Sequence, residues 1–126
     1  MNWQTIRLEL AHGDNLTKTS PSRAFILQVP VDDGGFIDVA AIERRPARAT
    51  VRRFWASEAD QAGRVECAEG AWLLRCGASR REGAVFQLAR GPLRLGSQLT
   101  VRDPHGQALL FRVASVDTLK AAGVAE

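Results

Sequence analysis

The residues best suited to chemistry are five arginines in the stretch RRPARATVRRFW, residues 44–55, which contains no acid and ends on two aromatics. Guanidinium groups bind phosphates and carboxylates through paired hydrogen bonds, and aromatic rings stack on bases. The interpretation we favour is a helix end followed by a strand, in which cations offset the helix dipole and are otherwise solvated. The alternative is a surface that binds a nucleotide or a nucleic acid.

Strand geometry divides this cluster of arginines. From residue 49 onwards the sequence reads as a strand, in which successive side chains point to opposite faces. Arg52 and Arg53 therefore cannot both contact one ligand, and only one of them can join the arginines of the helix end and the following bend. The candidate anion-binding residues are Arg44, Arg45, Arg48 and Arg52.

Motifs for catalysis or for metal binding are absent from the sequence. Cys67 and Cys76 lack the C-x-x-C spacing of a zinc site, and the DDGG stretch at 32–35 lacks the spacing of a calcium loop. His12 and His105 both lie beside turn residues. We therefore predict no catalytic residue, metal or cofactor. This favours a binding or interaction module, with an enzyme whose site has no recognisable motif as a further alternative.

Composition predicts a single soluble domain spanning residues 1–126. The chain is 45% hydrophobic and 25% charged, with a formal net charge of +3. Residues 1–43 hold three bases and six acids, a balance of −3, and the remainder holds 14 bases and eight acids, a balance of +6. The basic part favours an anionic partner such as a nucleic acid. No apolar run approaches the roughly 20 residues of a membrane span, so we expect a cytoplasmic protein without a membrane.

Alternation of apolar and polar residues indicates the fold class. Period-2 patterns dominate and predict seven or eight short strands, whereas one short helix is expected near 39–45, capped by Asp38 and stopped by Pro46. Strands this short and evenly spaced favour an all-β, mainly antiparallel fold, a small barrel or a barrel-like structure. A mobile loop is predicted over about 12–23 and a loose C-terminal tail over about 119–126.

Two hairpins have registers that can be predicted. A two-residue turn at Glu69 and Gly70 places Cys67 opposite Trp72 and Val65 opposite Leu74. A type I turn with a glycine bulge over residues 103–106 places Val101 opposite Leu109 and Leu99 opposite Phe111. Both registers bring apolar residues together. The first also places Cys76 about 13 Å along the strand from Trp72, too far for a disulfide with Cys67.

The R-x-x-x-R spacings at Arg44–Arg48 and Arg48–Arg52 resemble the first motif of PilZ domains. That resemblance implies a small β-barrel in which the arginines bind the guanines and phosphates of cyclic-di-GMP. The second motif of the family, D/N-x-S-x-x-G, is absent after Trp55. The sequence therefore lacks the motif that completes such a site, and we do not predict binding of cyclic-di-GMP.

A second resemblance covers most of the chain. The segments MNWQTIRLEL, SPSR, ATVRRFW and FRVASV are similar to those of a group of short alphaproteobacterial proteins without an assigned activity. This resemblance implies no catalytic or ligand-binding residue.

Overall fold

Eight antiparallel strands close into one barrel in the computed structural model, which describes residues 2–12, 18–77 and 84–118. Each strand pairs with the next along the chain, and β8 pairs with β1. The strands are β1 (Asn2–His12), β2 (Lys18–Val31), β3 (Thr50–Trp55), β4 (Gln61–Ala68), β5 (Ala71–Cys76), β6 (Ala84–Ala89), β7 (Gln98–Arg102) and β8 (Ala108–Thr118). The predicted all-β, antiparallel barrel is confirmed.

The predicted helix is also present as α1 (Val39–Arg44). Asp38 is its N-cap, and one carboxylate oxygen accepts a hydrogen bond from the Ala41 backbone N–H at 3.2 Å. Pro46 cannot continue an α-helix, because it has no N–H, and it opens a short 3-10 turn over Pro46–Arg48. Helix and turn together lead the chain from β2 into β3.

Both predicted hairpin registers are confirmed. Val65 pairs with Leu74 across β4 and β5, and Leu99 pairs with Phe111 across β7 and β8. In the second hairpin, Gly106 has a φ of 86°, which is the left-handed conformation that a glycine bulge needs. Cys76 lies opposite Gly63, away from Cys67, and both thiols are free.

The loop predicted over about 12–23 is too long. His12 belongs to β1, and β2 already begins at Lys18, with Leu10 paired to Ser20. The polar residues at 18–20 form a strand here because β1 supplies their pairing partners. Residues 13–17 and the tail predicted over about 119–126 lie outside the described residues.

Alternate residues of every strand fill the barrel interior. Phe25 is fully buried, and its ring centroid lies 5.1 Å from that of Trp55 and 5.3 Å from those of Phe86 and Phe111. We call this set of four rings the aromatic cluster. It lies towards the end of the barrel at which β1, β3, β5 and β7 finish, which we call the upper end.

Among the described residues, no helix has the length and the apolar character that a membrane span requires.

The lower end is sealed by two connections that pack on each other. Ile42 of α1 and Leu93, from the connection between β6 and β7, are both buried. The Leu93 N–H donates to the carbonyl of Gly35 at 2.7 Å, which ties the two connections together. Gly35 has a φ of 90°, and a Cβ there would lie 2.9 Å from Cγ of Arg94, so the junction requires glycine.

Candidate functional site

The four predicted arginines occupy three different settings. Arg44 and Arg45 are exposed at the C-terminal end of α1. Arg48 is half-buried and its guanidinium lies over the Trp3 ring, 4.6 Å from the centroid. Arg52 lies further on, on the outer wall of β3, between Ile26 of β2 and Ala62 of β4. The structure therefore does not bring these four side chains into contact with one another.

The two faces of β3 each carry one arginine and one aromatic residue. Arg52 is exposed on the outer wall, with its guanidinium 5.3 Å from the centroid of Phe54. Arg53 is buried inside the barrel, 4.8 Å from the centroid of Trp55. The expected separation of Arg52 and Arg53 is confirmed, and it leaves Arg52 as the member of the pair that solvent reaches.

Two further arginines lie beside Arg52 on the outer wall. Arg64 of β4 lies directly opposite Arg75 of β5, and both are exposed. Arg64 is also a diagonal neighbour of Arg52, because Ala62 is the residue opposite Arg52. Residues opposite each other in a sheet have Cβ atoms about 5 Å apart, and diagonal neighbours about 7–8 Å. Arg52, Arg64 and Arg75 therefore form one surface, which we call the arginine face.

The arginine face carries an excess of positive charge. Glu66 accepts from Nε of Arg75 at 2.6 Å, and it is the one acidic residue on the outer wall of the described strands β3, β4 and β5. Three arginines against one carboxylate leave a charge of +2. Like charges that lie directly opposite each other destabilise a sheet, so the Arg64–Arg75 pair is unfavourable until an anion lies between the two groups.

Arg7 on the neighbouring part of the wall shows the opposite arrangement. Its Nε donates to Glu9 at 2.6 Å, and Thr19 donates to the other carboxylate oxygen at 2.8 Å. The hydrogen bond from Arg7 holds the pKa of Glu9 below its ordinary value, with a further contribution from Thr19 against the effect of burial. Arg7 is therefore neutralised by its own neighbour, unlike the arginine face.

A surface groove of about 450 Å³ continues the outer wall beyond β5. Its lining includes Val85, which is the residue opposite Arg75, and Arg102 of β7. The groove forms here because β6 and β7 pair at only two positions, Gln87 with Arg102 and Leu88 with Val101. The arginine face thus borders a concave surface whose far side carries both Arg102 and Asp103.

The upper end holds the second unusual group of residues, around Arg53. Its Nε and Nη2 both donate to Oε1 of Gln61, at 3.1 and 2.6 Å, and Nη2 also donates to Glu58 at 3.3 Å. Its guanidinium lies 5.6 Å from the centroid of Phe86 as well as beside Trp55. In the described part of the chain, Arg53 is the only buried polar or charged residue.

Cys76 lies on the inner face near Arg53 and has an unreactive thiol. Burial raises the pKa of its thiol from 9.0 to about 11, although the positive charge of Arg53 acts in the opposite direction. At neutral pH the group is therefore a protonated thiol, which is a poor nucleophile. The described ranges also hold no group of three or more His, Cys, Asp or Glu side chains that could bind a metal ion.

The sequence carries a signal for the arginine face that the linear clustering of arginines does not reveal. Once Val65 is placed opposite Leu74, Arg64 must lie opposite Arg75, since the register is antiparallel. These residues are 11 positions apart and look unrelated in the linear sequence. The partners of Arg53 had no such signal, because Glu58 and Gln61 come from the turn after β3 and the first residue of β4.

Compared with known proteins, the chain matches no family model, no curated protein and no solved structure. The candidate sites therefore rest on the arrangement of the residues themselves.

Proposed function

We propose that this protein is a binding module for single-stranded nucleic acid, and that the arginine face is its interface. The observation that carries the proposal is the placement of Arg64 directly opposite Arg75, with both side chains exposed on the outer wall. Two adjacent guanidiniums, of which only Arg75 contacts a carboxylate, create a position at which a phosphate relieves repulsion and gains charge-assisted hydrogen bonds.

The contact between Arg75 and Glu66 does not prevent such binding. The two side chains are 50% and 44% exposed, and exposed ion pairs contribute little to stability. Arg75 can therefore exchange the carboxylate of Glu66 for a phosphate at small cost. Arg64 and Arg52 have no carboxylate contact among the described residues, so they add to the attraction.

The aromatic residue beside the arginine face favours a single strand over a duplex. Phe54 is half-buried on the outer wall, next to Arg52. Proteins that bind single strands without sequence preference combine a basic groove with aromatic rings on which unpaired bases stack. A duplex keeps its bases inside the helix, so it can use the arginines but cannot use Phe54. The groove that begins at Val85 offers space for a second nucleotide.

A direct test is titration of a fluorescent single-stranded oligonucleotide with three proteins at low salt. The wild type should bind, and Arg64→Ala/Arg75→Ala should bind at least tenfold more weakly. The matched control is Arg44→Ala/Arg45→Ala, which removes the same charge from the end of α1. If this control binds the oligonucleotide with wild-type affinity, the result supports the arginine face as the binding site. Equal losses of affinity in the two variants would show that only the total charge matters. Absence of binding by the wild type would contradict the proposed function.

The variant Phe54→Ala separates the single strand from the duplex. It should weaken binding of the single strand by about 1–3 kcal/mol, the usual contribution of one stacked base, and leave the weaker duplex binding unchanged.

We also expect the protein to act in the cytoplasm, where its two free cysteines stay reduced.

A further inference from the structure

Arg53 is a cation inside the barrel whose charge is only partly compensated by the protein. Its side chain is 8% exposed, whereas the side chain of Glu58, its one carboxylate partner among the described residues, is 54% exposed. Their separation of 3.3 Å exceeds the 2.7–2.9 Å usual for a charge-assisted hydrogen bond between nitrogen and oxygen. Buried charges are costly unless they are closely paired, and this pair is loose.

Glu58 reaches Arg53 from a tight turn on the protein surface. The backbone N–H of Glu58 donates to the carbonyl of Trp55 at 3.1 Å. Ser57 in the same turn has a φ of 74°, the only positive value for a residue other than glycine in the described part of the chain. Such a conformation is unfavourable for serine. The turn that delivers the carboxylate is therefore strained, and its other residues from 56 to 60 are exposed.

The surroundings of this carboxylate suit an aromatic anion. Trp55 is half-buried, and it has Arg53 at 4.8 Å and the exposed Arg23 at 5.8 Å from its ring centroid. Both guanidiniums lie beside the Trp55 ring, and of the two only Arg53 contacts the carboxylate of Glu58. Trp55, which is half-buried, supplies accessible apolar ring surface beside Arg53. A ligand with a carboxylate and a small aromatic group matches both features.

We infer that the upper end of the barrel binds a small aromatic carboxylate, and that Glu58 occupies the carboxylate position when no ligand is bound. The ligand carboxylate displaces Glu58 and accepts from Nη2 of Arg53, while its ring packs against Trp55. No covalent bond forms or breaks. This site is separate from the arginine face, because Arg53 points into the barrel and Arg52 points out of it.

The experiment uses benzoate as the probe and benzamide as its neutral analogue, with calorimetric titration at constant ionic strength. Glu58→Gln removes the competing carboxylate, so it should bind benzoate at least tenfold more tightly than the wild type. Asp60→Asn is the matched control, because it removes one negative charge from the same turn without contacting Arg53, and its affinity should equal that of the wild type. Benzamide should not bind to any of the three proteins.

Three results would overturn the inference. The first is benzoate affinity in Glu58→Gln no greater than in Asp60→Asn, which would make Glu58 a purely structural partner. The second is equal binding of inorganic phosphate, which would show a general attraction for anions. The third is an unchanged Nε–Hε resonance of Arg53 in the wild-type protein at saturating benzoate, a measurement that does not depend on any variant folding.

Discussion

Arg52 and Arg53 are consecutive residues that lie on opposite sides of the barrel wall. Arg52 is exposed beside Phe54, and Arg53 is 7% exposed beside Trp55. One strand thus supplies a cation to an outer surface and a second cation to the interior. The first is free to bind a partner in solution, whereas the second is held by Gln61 and Glu58.

Alanine at these two positions should therefore have different effects on stability. Arg53→Ala should lower the free energy of unfolding by about 2–4 kcal/mol, because truncation leaves a cavity beside the rings of Trp55 and Phe86. Arg52→Ala should change it by no more than about 0.5 kcal/mol, as is usual for an exposed residue. Urea unfolding followed by circular dichroism measures both. Equal losses would contradict the assignment of the two faces.

Gly63 should not tolerate any side chain. A Cβ there would lie 1.5 Å from the carbonyl oxygen of Arg75, which is backbone and cannot move without breaking the β4–β5 ladder. We expect Gly63→Ala to destabilise the fold by about 3 kcal/mol or more. Gly70→Asn is the control: its φ of 75° suits asparagine, and a Cβ there meets nothing within 4 Å. A wild-type melting temperature for Gly63→Ala would show that the two strands are further apart.

Cys76 should make stability depend on pH in the alkaline range. Its pKa is raised from 9.0 to about 11 by burial, so the folded protein holds the thiol proton more strongly than the unfolded chain does. This contribution is fully present below pH 9 and is lost as the pH rises towards 11. It amounts to about 2–3 kcal/mol. The chain has no tyrosine, which leaves few other groups titrating in this window.

The measurement is the free energy of unfolding at several pH values between 8 and 11, for the wild type and for Cys76→Ala. The wild type should lose more stability over this range, and the difference between the two curves isolates Cys76 because Cys67 is present in both proteins. Parallel curves would mean that the thiol is accessible to solvent and is ionised in the folded state.

The sequence was sufficient for the strands and for their pairing where short turns join them. Leu99 could be placed opposite Phe111 because turn chemistry at residues 103–106 and apolar alternation agree. Long connections gave no such constraint. The packing of Leu93 against Gly35 at the lower end joins two connections distant in sequence, and no local pattern encodes it.

The candidate site was only partly predictable for a related reason. Alternation shows that Arg52 and Arg53 lie on different faces. Because each face of β3 also carries an aromatic residue, the pattern does not show which of the two arginines is buried. The four arginines chosen from the linear cluster lie in three settings, because Arg48 packs on Trp3 and α1 turns Arg44 and Arg45 away from the strand. Proximity in a barrel follows strand register more than sequence distance, as Arg64 and Arg75 show.

The salt dependence of oligonucleotide binding tests the proposed interface most directly. For single strands, the slope of log K against log salt is about −0.7 for each phosphate neutralised, so the three arginines of the face predict a slope near −2. Arg64→Ala/Arg75→Ala should reduce it to about −0.7, and Arg44→Ala/Arg45→Ala should leave it near −2. A slope in Arg64→Ala/Arg75→Ala equal to that of the wild type would show that the nucleic acid does not bind at the arginine face.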